Sequence, residues 1–154
     1  CDGDLLLTNA NILERVATYA ETNVLGVEFA EYLSDEAMKV MTSNGVPESR
    51  RENTPVYRVN GIGKDIPTQS ATGEFIGLQK LADPETIQAL VTRLDRLTAD
   101  ERANAYYEDI CSELLAEDHH FEAISIPGSA WTEIDTPDDL ESARKTFDDI
   151  APEN

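Results

Sequence analysis

Apolar positions along the chain alternate between two spacings, and the switches mark its elements. Ile12, Leu13, Val16 and Tyr19 or Ala20 recur at helical spacing, so a helix is predicted from Ile12 to Glu21, with Thr8 and Asn9 available as caps. Val24 to Phe29 is short, apolar and β-branched, which predicts a buried strand. Asp35 to Met41 fits either state: its composition suits a helix, while Ala37, Lys39 and Met41 alternate with Met38, Val40 and Thr42. A Ser43-Asn44-Gly45 turn follows, then a polar stretch to Pro55, then a strand from Val56 to Ile62. Lys64 to Thr72 reads as a loop. Glu74 to Leu81 reads as a strand whose Gly77 implies close backbone approach.

The second half is more helical. Asp83-Pro84-Glu85 is a cap followed by a proline at the first helical position, and that helix should run to about Leu97. Another is predicted from near Asp100, carrying Tyr106, Tyr107, Ile110, Leu114 and Leu115. Phe121 to Ile126 and Trp131 to Ile134 read as strands. Thr136-Pro137-Asp138-Asp139 opens a final helix ending near Ile150, with acids in the first turn to complement its dipole. Strands alternating with helices, interrupted by one long hairpin, predict an α/β layered fold with a mixed sheet. The 154 residues fit one domain, 1–154.

Charge narrows the partners. Asp and Glu number 31 against 12 Lys and Arg, for a net charge of −19. Nucleic acid and anionic membrane surfaces both require clustered basic side chains, so neither is an expected partner. The acid is spread along the chain. That fits either a protein adapted to high salt, where self-repulsion is screened, or an ordinary acidic enzyme. No apolar run approaches a membrane span, and no basic segment precedes an apolar one, so the expected location is the cytoplasm. Cys1 and Cys111 form neither a disulfide framework nor a metal motif and are read as free thiols.

Two acidic pairs could carry chemistry. Asp2 and Asp4 flank Gly3; two acids on a tight turn can hold a hard divalent cation, although the same tripeptide also serves as a plain surface turn. Glu133 and Asp135 would point to one face of a strand, where like charges repel unless a cation compensates; a solvated strand edge before a capped helix is the alternative. Tyr106-Tyr107-Glu108 joins aromatics to an acid, which suits core packing or a pocket for a cationic group. His119 and His120 read as a surface pair, and Met38, Met41 and Trp131 as core residues. There is no Gly-x-Gly-x-x-Gly or P-loop.

In order along the chain, Asp2-Gly3-Asp4-Leu5-Leu6-Leu7, Asp35 to Val40, Gly63 to Ile66, Gly73 to Leu78, Tyr106 to Glu108 and Trp131 to Leu140 resemble nucleotidyltransferases. The resemblance is greatest to the small cytidylyltransferases that act on phosphocholine, 2-aminoethylphosphonate or inositol phosphate. Sugar-1-phosphate nucleotidyltransferases are more distant. It covers nearly the whole chain, and Trp131-Thr132-Glu133-Ile134-Asp135-Thr136-Pro137-Asp138-Asp139-Leu140 is its most specific part.

The resemblance implies a Rossmann-like mixed sheet of the nucleotide-diphospho-sugar transferase type, lacking its N-terminal βα units. Residues 33–82 would form an antiparallel insertion over the active site, and 131–150 the metal motif and C-terminal helix. Asp35 to Met41 should then be a strand. Asp4 and Asp135 become catalytic, and with Glu133 hold Mg²⁺; Tyr106, Tyr107, Glu108 and Glu74 line the acceptor pocket. The reaction implied is transfer of a nucleotidyl group from a nucleoside triphosphate, CTP favoured, to a small phosphorylated or phosphonate acceptor, with release of pyrophosphate. A sugar-1-phosphate nucleotidyltransferase and a non-catalytic binding module are the alternatives. A homodimer is compatible with the sequence. The family's glycine-rich nucleotide loop lies upstream of the first aspartate and is not in this sequence, which reads as starting inside the fold. The aromatic that choline-handling relatives carry near Ala37 is also absent, which favours 2-aminoethylphosphonate or another phosphorylated alcohol over phosphocholine.

Overall fold

A computed structural model describes residues 1–19, 21–43, 57–99 and 107–150, with the backbone alone for 97–99 and 147–150. The elements run β1 (Leu5–Leu7), α1 (Asn11–Thr18), β2 (Asn23–Glu28), β3 (Lys39–Thr42), β4 (Tyr57–Gly63), β5 (Gly73–Lys80), α2 (Pro84–Ala99), α3 (Tyr107–Ala116), β6 (Phe121–Ser125), β7 (Trp131–Glu133) and α4 (Pro137–Ile150). Five strands pair in the order β2-β5-β3-β4-β6 and close on themselves, while β1 and β7 form a separate two-stranded ribbon. The expected α/β class and mixed pairing are present: β2 and β6 run parallel, and the other pairs are antiparallel. The finer Rossmann-like expectation is not shown: among the described residues one strand pair is parallel, and the five strands close through β4 and β6.

Period-two alternation in β2, β5 and β6 feeds two cores. Leu25, Val27, Phe75, Phe121 and Ala123 face one side and pack with Leu90 of α2 and Ile110, Cys111 and Leu114 of α3. Val24, Ile76, Leu78 and Ile124 face the other, against Ile12 and Val16 of α1 and against Leu5, Leu7 and Trp131 of the ribbon. These strands are covered on both faces, which is why they read as nearly continuous apolar runs. Asn23, buried at the start of β2, is fully used: its amide donates to the His120 carbonyl and Thr86 Oγ1, and its Oδ1 accepts from the Ala82 and Asp83 amides.

Helix starts follow their signals. The Thr86 amide donates to Asp83 Oδ2 at 2.9 Å, and Thr136 and Asp139 satisfy each other's backbone amides in a reciprocal box. At α1 the expected caps differ: the N-cap is Ala10 without a side-chain cap bond, Asn9 Oδ1 accepts from the Asn11 amide and Thr8 Oγ1 donates to the Ser129 carbonyl. α1 stops at Thr18, short of the predicted Glu21, because Tyr19 is already extended. Asp35 to Met41 is corrected: only Lys39 onward is strand. Ser34 turns the chain before it, with its carbonyl and Oγ both accepting from the Ala37 amide, and Lys39 Nζ folds back onto the Asp35 carbonyl at 2.7 Å. The Asn44–Pro55 connection, Val56 and the predicted helix start at Asp100 lie outside the described residues. No described helix is long and apolar enough to cross a membrane.

Phe121 is fully buried between β2 and the helices. Phe121→Ala is therefore expected to lower unfolding free energy by about 3–5 kcal/mol in urea titration. A loss under about 1 kcal/mol would contradict this packing.

Candidate active site

The ribbon puts the two acidic motifs side by side. Leu5 pairs with Glu133, Leu6 with Thr132 and Leu7 with Trp131, and the Ile134 amide donates to the Asp4 carbonyl at 3.0 Å, one step beyond the strands. Asp4 and Asp135 therefore leave the ribbon at the same end. That end opens on a cleft of about 850 Å³, floored by β5 and flanked by α3 and by the turn before β3. Seven of the cleft's lining residues are acids (Asp2, Asp4, Glu36, Glu74, Glu108, Glu133 and Asp135), and Lys64 is the single cation among them.

Local geometry fixes each wall. Gly77 in β5 has φ +76°, open to glycine at little cost, and the Asp2 carboxylate lies where a Cβ would project, 2.4 Å from Oδ2. The Asp2 amide donates to the Gly77 carbonyl at 2.9 Å. From the opposite side, Tyr107 Oη donates to Asp2 Oδ1 at 2.9 Å, tying the first turn of α3 to the first motif. Burial, then the Glu108 charge and the bond to Asp2, push the Tyr107 phenol well above its ordinary value, so it stays a donor. Glu108, 7% exposed, has a buried Oε2 with no hydrogen-bond partner.

Three of the cleft's carboxyls, Glu74, Glu108 and Glu133, hold protons more tightly than free ones. Burial first, then the charges of Asp135, Glu74, Asp4 and Asp2, raise Glu133. Burial and Glu28 raise Glu74, partly offset by Lys39. Burial, with Asp2 and Asp109, raises Glu108. A divalent cation would relieve this crowding, and the donor set is all hard oxygen. Among the described residues no three His, Cys, Asp or Glu side chains close into a ligand cage. Mg²⁺ needs none: it keeps several waters and is commonly held by one or two carboxylates plus substrate phosphates. The residues present fit that mode.

Of the residues singled out in the sequence, Asp4, Glu74, Tyr107, Glu108, Glu133 and Asp135 all line this cleft; Tyr106 lies outside the described residues. Asp2, paired with Asp4 in the sequence as a candidate cation ligand, is also the joint between β5, α3 and the ribbon. Met38 is core, as expected, while Met41 and Trp131 are only partly buried, and Trp131 donates its indole N–H to Glu28. His119 Nδ1 bonds Thr86 Oγ1 and His120 pairs with Glu122, both away from the cleft.

No family model and no curated protein sequence matches the chain. Among solved structures, the UTP-bound UGPase of Acinetobacter baumannii, a UDP-glucose pyrophosphorylase, aligns over 97% of this chain with a TM-score of 0.63 and 15% identity. The chain spans about half of that structure, 50% of its length. The likeness is one of fold.

Because Glu74, Glu108 and Glu133 all sit above the ordinary 4.5, the folded chain binds their protons more tightly than the unfolded chain does. Their contribution is complete below that value and is lost as pH rises through the folded values. At low salt, melting at about pH 5 is expected to exceed melting at about pH 8. Glu108→Gln, which cannot ionise, should melt higher than the parent at the alkaline end and lose part of the acid-side gain. Equal slopes for parent and variant would contradict the assignment.

Proposed function

We propose that this chain supplies the metal- and acceptor-binding half of a nucleotidyltransferase. The reaction moves a nucleotidyl group, cytidylyl by preference, from a nucleoside triphosphate to a small phosphorylated or phosphonate acceptor. The carrying observation is the convergence of Asp2-Gly3-Asp4 and Glu133-Ile134-Asp135 on one acid-lined cleft through the β1–β7 ribbon. The nucleotidyltransferase-like fold supports it.

An acceptor oxygen attacks the α-phosphorus, the bond to the β-phosphate oxygen breaks, and pyrophosphate leaves with the electron pair. Asp4 and Asp135, with Glu133 beside them, would hold Mg²⁺, which when bound offsets phosphate charge and polarises the phosphoryl group. Two polyanions must approach each other among acids, so positioning by the chain decides the rate. Asp2 holds Tyr107 and β5 together, which fixes the distance between the ribbon and the acceptor wall. Lys64 at the cleft rim suits an acceptor phosphate or phosphonate.

Glu108 suits the acceptor's other end. A buried carboxyl oxygen without a donor is satisfied by a proton or by a ligand N–H. A primary ammonium offers three donors, whereas a quaternary ammonium offers none. With Ala37 at the cleft in place of an aromatic, an aminoalkyl phosphonate or phosphate is favoured over phosphocholine. The UTP in the A. baumannii structure supports a second reading, uridylyl transfer to a sugar phosphate.

Pyrophosphate release by the product of the complete gene, with Mg²⁺, should appear with CTP and an aminoalkyl phosphonate or phosphate. Preference for UTP with a sugar phosphate would select the second reading. Absence of release with every nucleotide and acceptor, together with no Mg²⁺-dependent nucleotide binding by calorimetry, would leave a non-catalytic binding module. Glu108→Gln is expected to raise KM for an amino-bearing acceptor roughly 10- to 100-fold, the range for loss of a charged hydrogen bond of about 1.5–3 kcal/mol. An unchanged KM would remove Glu108 from the acceptor site.

A further inference from the structure

Glu28 ends β2 opposite Glu74 of β5; its charge raises Glu74, but it is not itself among the side chains that line the cleft. Its Oε2 accepts from Trp131 Nε1 at 2.9 Å. Its carboxylate also lies flat against Gly128: a Cβ there would come within 2.2 Å of Oε1 and 2.7 Å of Cδ. Glycine at this position is what lets the carboxylate reach the indole. Residues 128–130 form one 3₁₀ turn that leads without a break into Trp131 and β7.

The ribbon needs such an attachment. Among the described residues it shares no strand pairing with the five-stranded sheet. At its acidic end it is held by Asp2, through the Gly77 carbonyl and Tyr107. At its Leu7–Trp131 end, the Thr8 amide bonds the Ala130 carbonyl, but that bond stays within the ribbon and its own lead-in turn. The Glu28–Trp131 bond instead reaches back to the sheet, because Glu28 is paired in register with Glu74 of β5. One carboxylate thus joins β2 to the strand that delivers Glu133 and Asp135.

We propose that Glu28 is a positioning residue for the metal motif: through the indole of Trp131 and the glycine face at position 128 it sets where Glu133 and Asp135 stand relative to Asp4. The inference rests on the proposed metal-dependent transfer for its functional meaning, but its geometry can be tested separately. An indole N–H to carboxylate bond is charge-assisted and directional, so it fixes rotation as well as distance. Two charges collected at the other end of the same strand repel, and a strand of three residues has little stiffness of its own to resist that.

The chain has one tryptophan, so its indole N–H gives one resonance. The test is backbone and indole NMR on the parent, Glu28→Ala, Glu28→Gln and Gly128→Ala, each followed by Mg²⁺ titration. Glu28→Ala should shift the indole resonance and the amides of Glu133, Ile134 and Asp135, with β6 amides in place. Gly128→Ala should do the same by displacing the carboxylate. Glu28→Gln, which keeps an acceptor oxygen, should restore them. In step with these shifts, Mg²⁺ affinity should fall about tenfold in the two disrupted variants and recover in Glu28→Gln. A shifted indole with amides 133–135 unmoved would overturn the proposal, as would Mg²⁺ affinity that ignores the variants. If the parent binds no Mg²⁺, the metal reading fails, and the amide shifts alone still decide whether Glu28 positions the motif.

Discussion

Three residues of β1 lie against three of β7, and the cleft exists because they do. The pairing joins residues near the start of the sequence to the segment just before α4, so the loop it closes is most of the chain. A three-pair ribbon has little stability of its own in water. It persists because Leu5, Leu7 and Trp131 bury one face against Ile76, Leu78, Ile124 and Ile126, and because Asp2 fastens its end to Gly77 and Tyr107. The apolar triplet Leu5-Leu6-Leu7 places the ribbon, and the register then decides which acids meet.

What the ribbon gathers is electrostatically unfavourable. Seven acids share one opening with one lysine, and burial first, then the neighbouring charges, raise the proton affinity of Glu74, Glu108 and Glu133. Elsewhere carboxylates are placed where they stabilise: Asp83 and Asp139 accept backbone amides at helix starts, and each is held below its ordinary value by hydrogen bonds from the neighbouring threonine. The contrast separates acids that build the fold from acids that burden it. Burdened groups collected in a cleft are the pattern expected of a binding site for cations and for ligands that carry them.

Much of the fold was legible because its signals are local. The Asp83-Pro84 and Thr136-Pro137 starts, and the β-branched runs at Val24 and Phe121, all became the expected elements. The Asp35 to Met41 strand failed at its first half because Ser34 and Lys39 make side-chain bonds to the backbone that no periodicity reports. Closure of the sheet was not legible either, since it depends on Tyr57 and Arg58 meeting Glu122 and Ala123, a pairing without a local signature. At the site, the order of motifs brought Asp4, Glu74, Tyr107, Glu108, Glu133 and Asp135 to attention. The joint at Asp2 and the Glu28 bond to Trp131 had no signal beyond Gly77 and Gly128, the two glycines that make room for them.

The central claim is that Asp2-Gly3-Asp4 and Glu133-Ile134-Asp135 form one cation site. Paramagnetic broadening by Mn²⁺ at sub-stoichiometric concentration reads this directly from backbone amides. The amides of residues 2–4 and 133–135 should broaden together, with Gly77 and Glu108 next and the exposed Glu113 and Glu117 at the far end of α3 least affected. Broadening spread over the acidic surface, or confined to one of the two motifs, would contradict it.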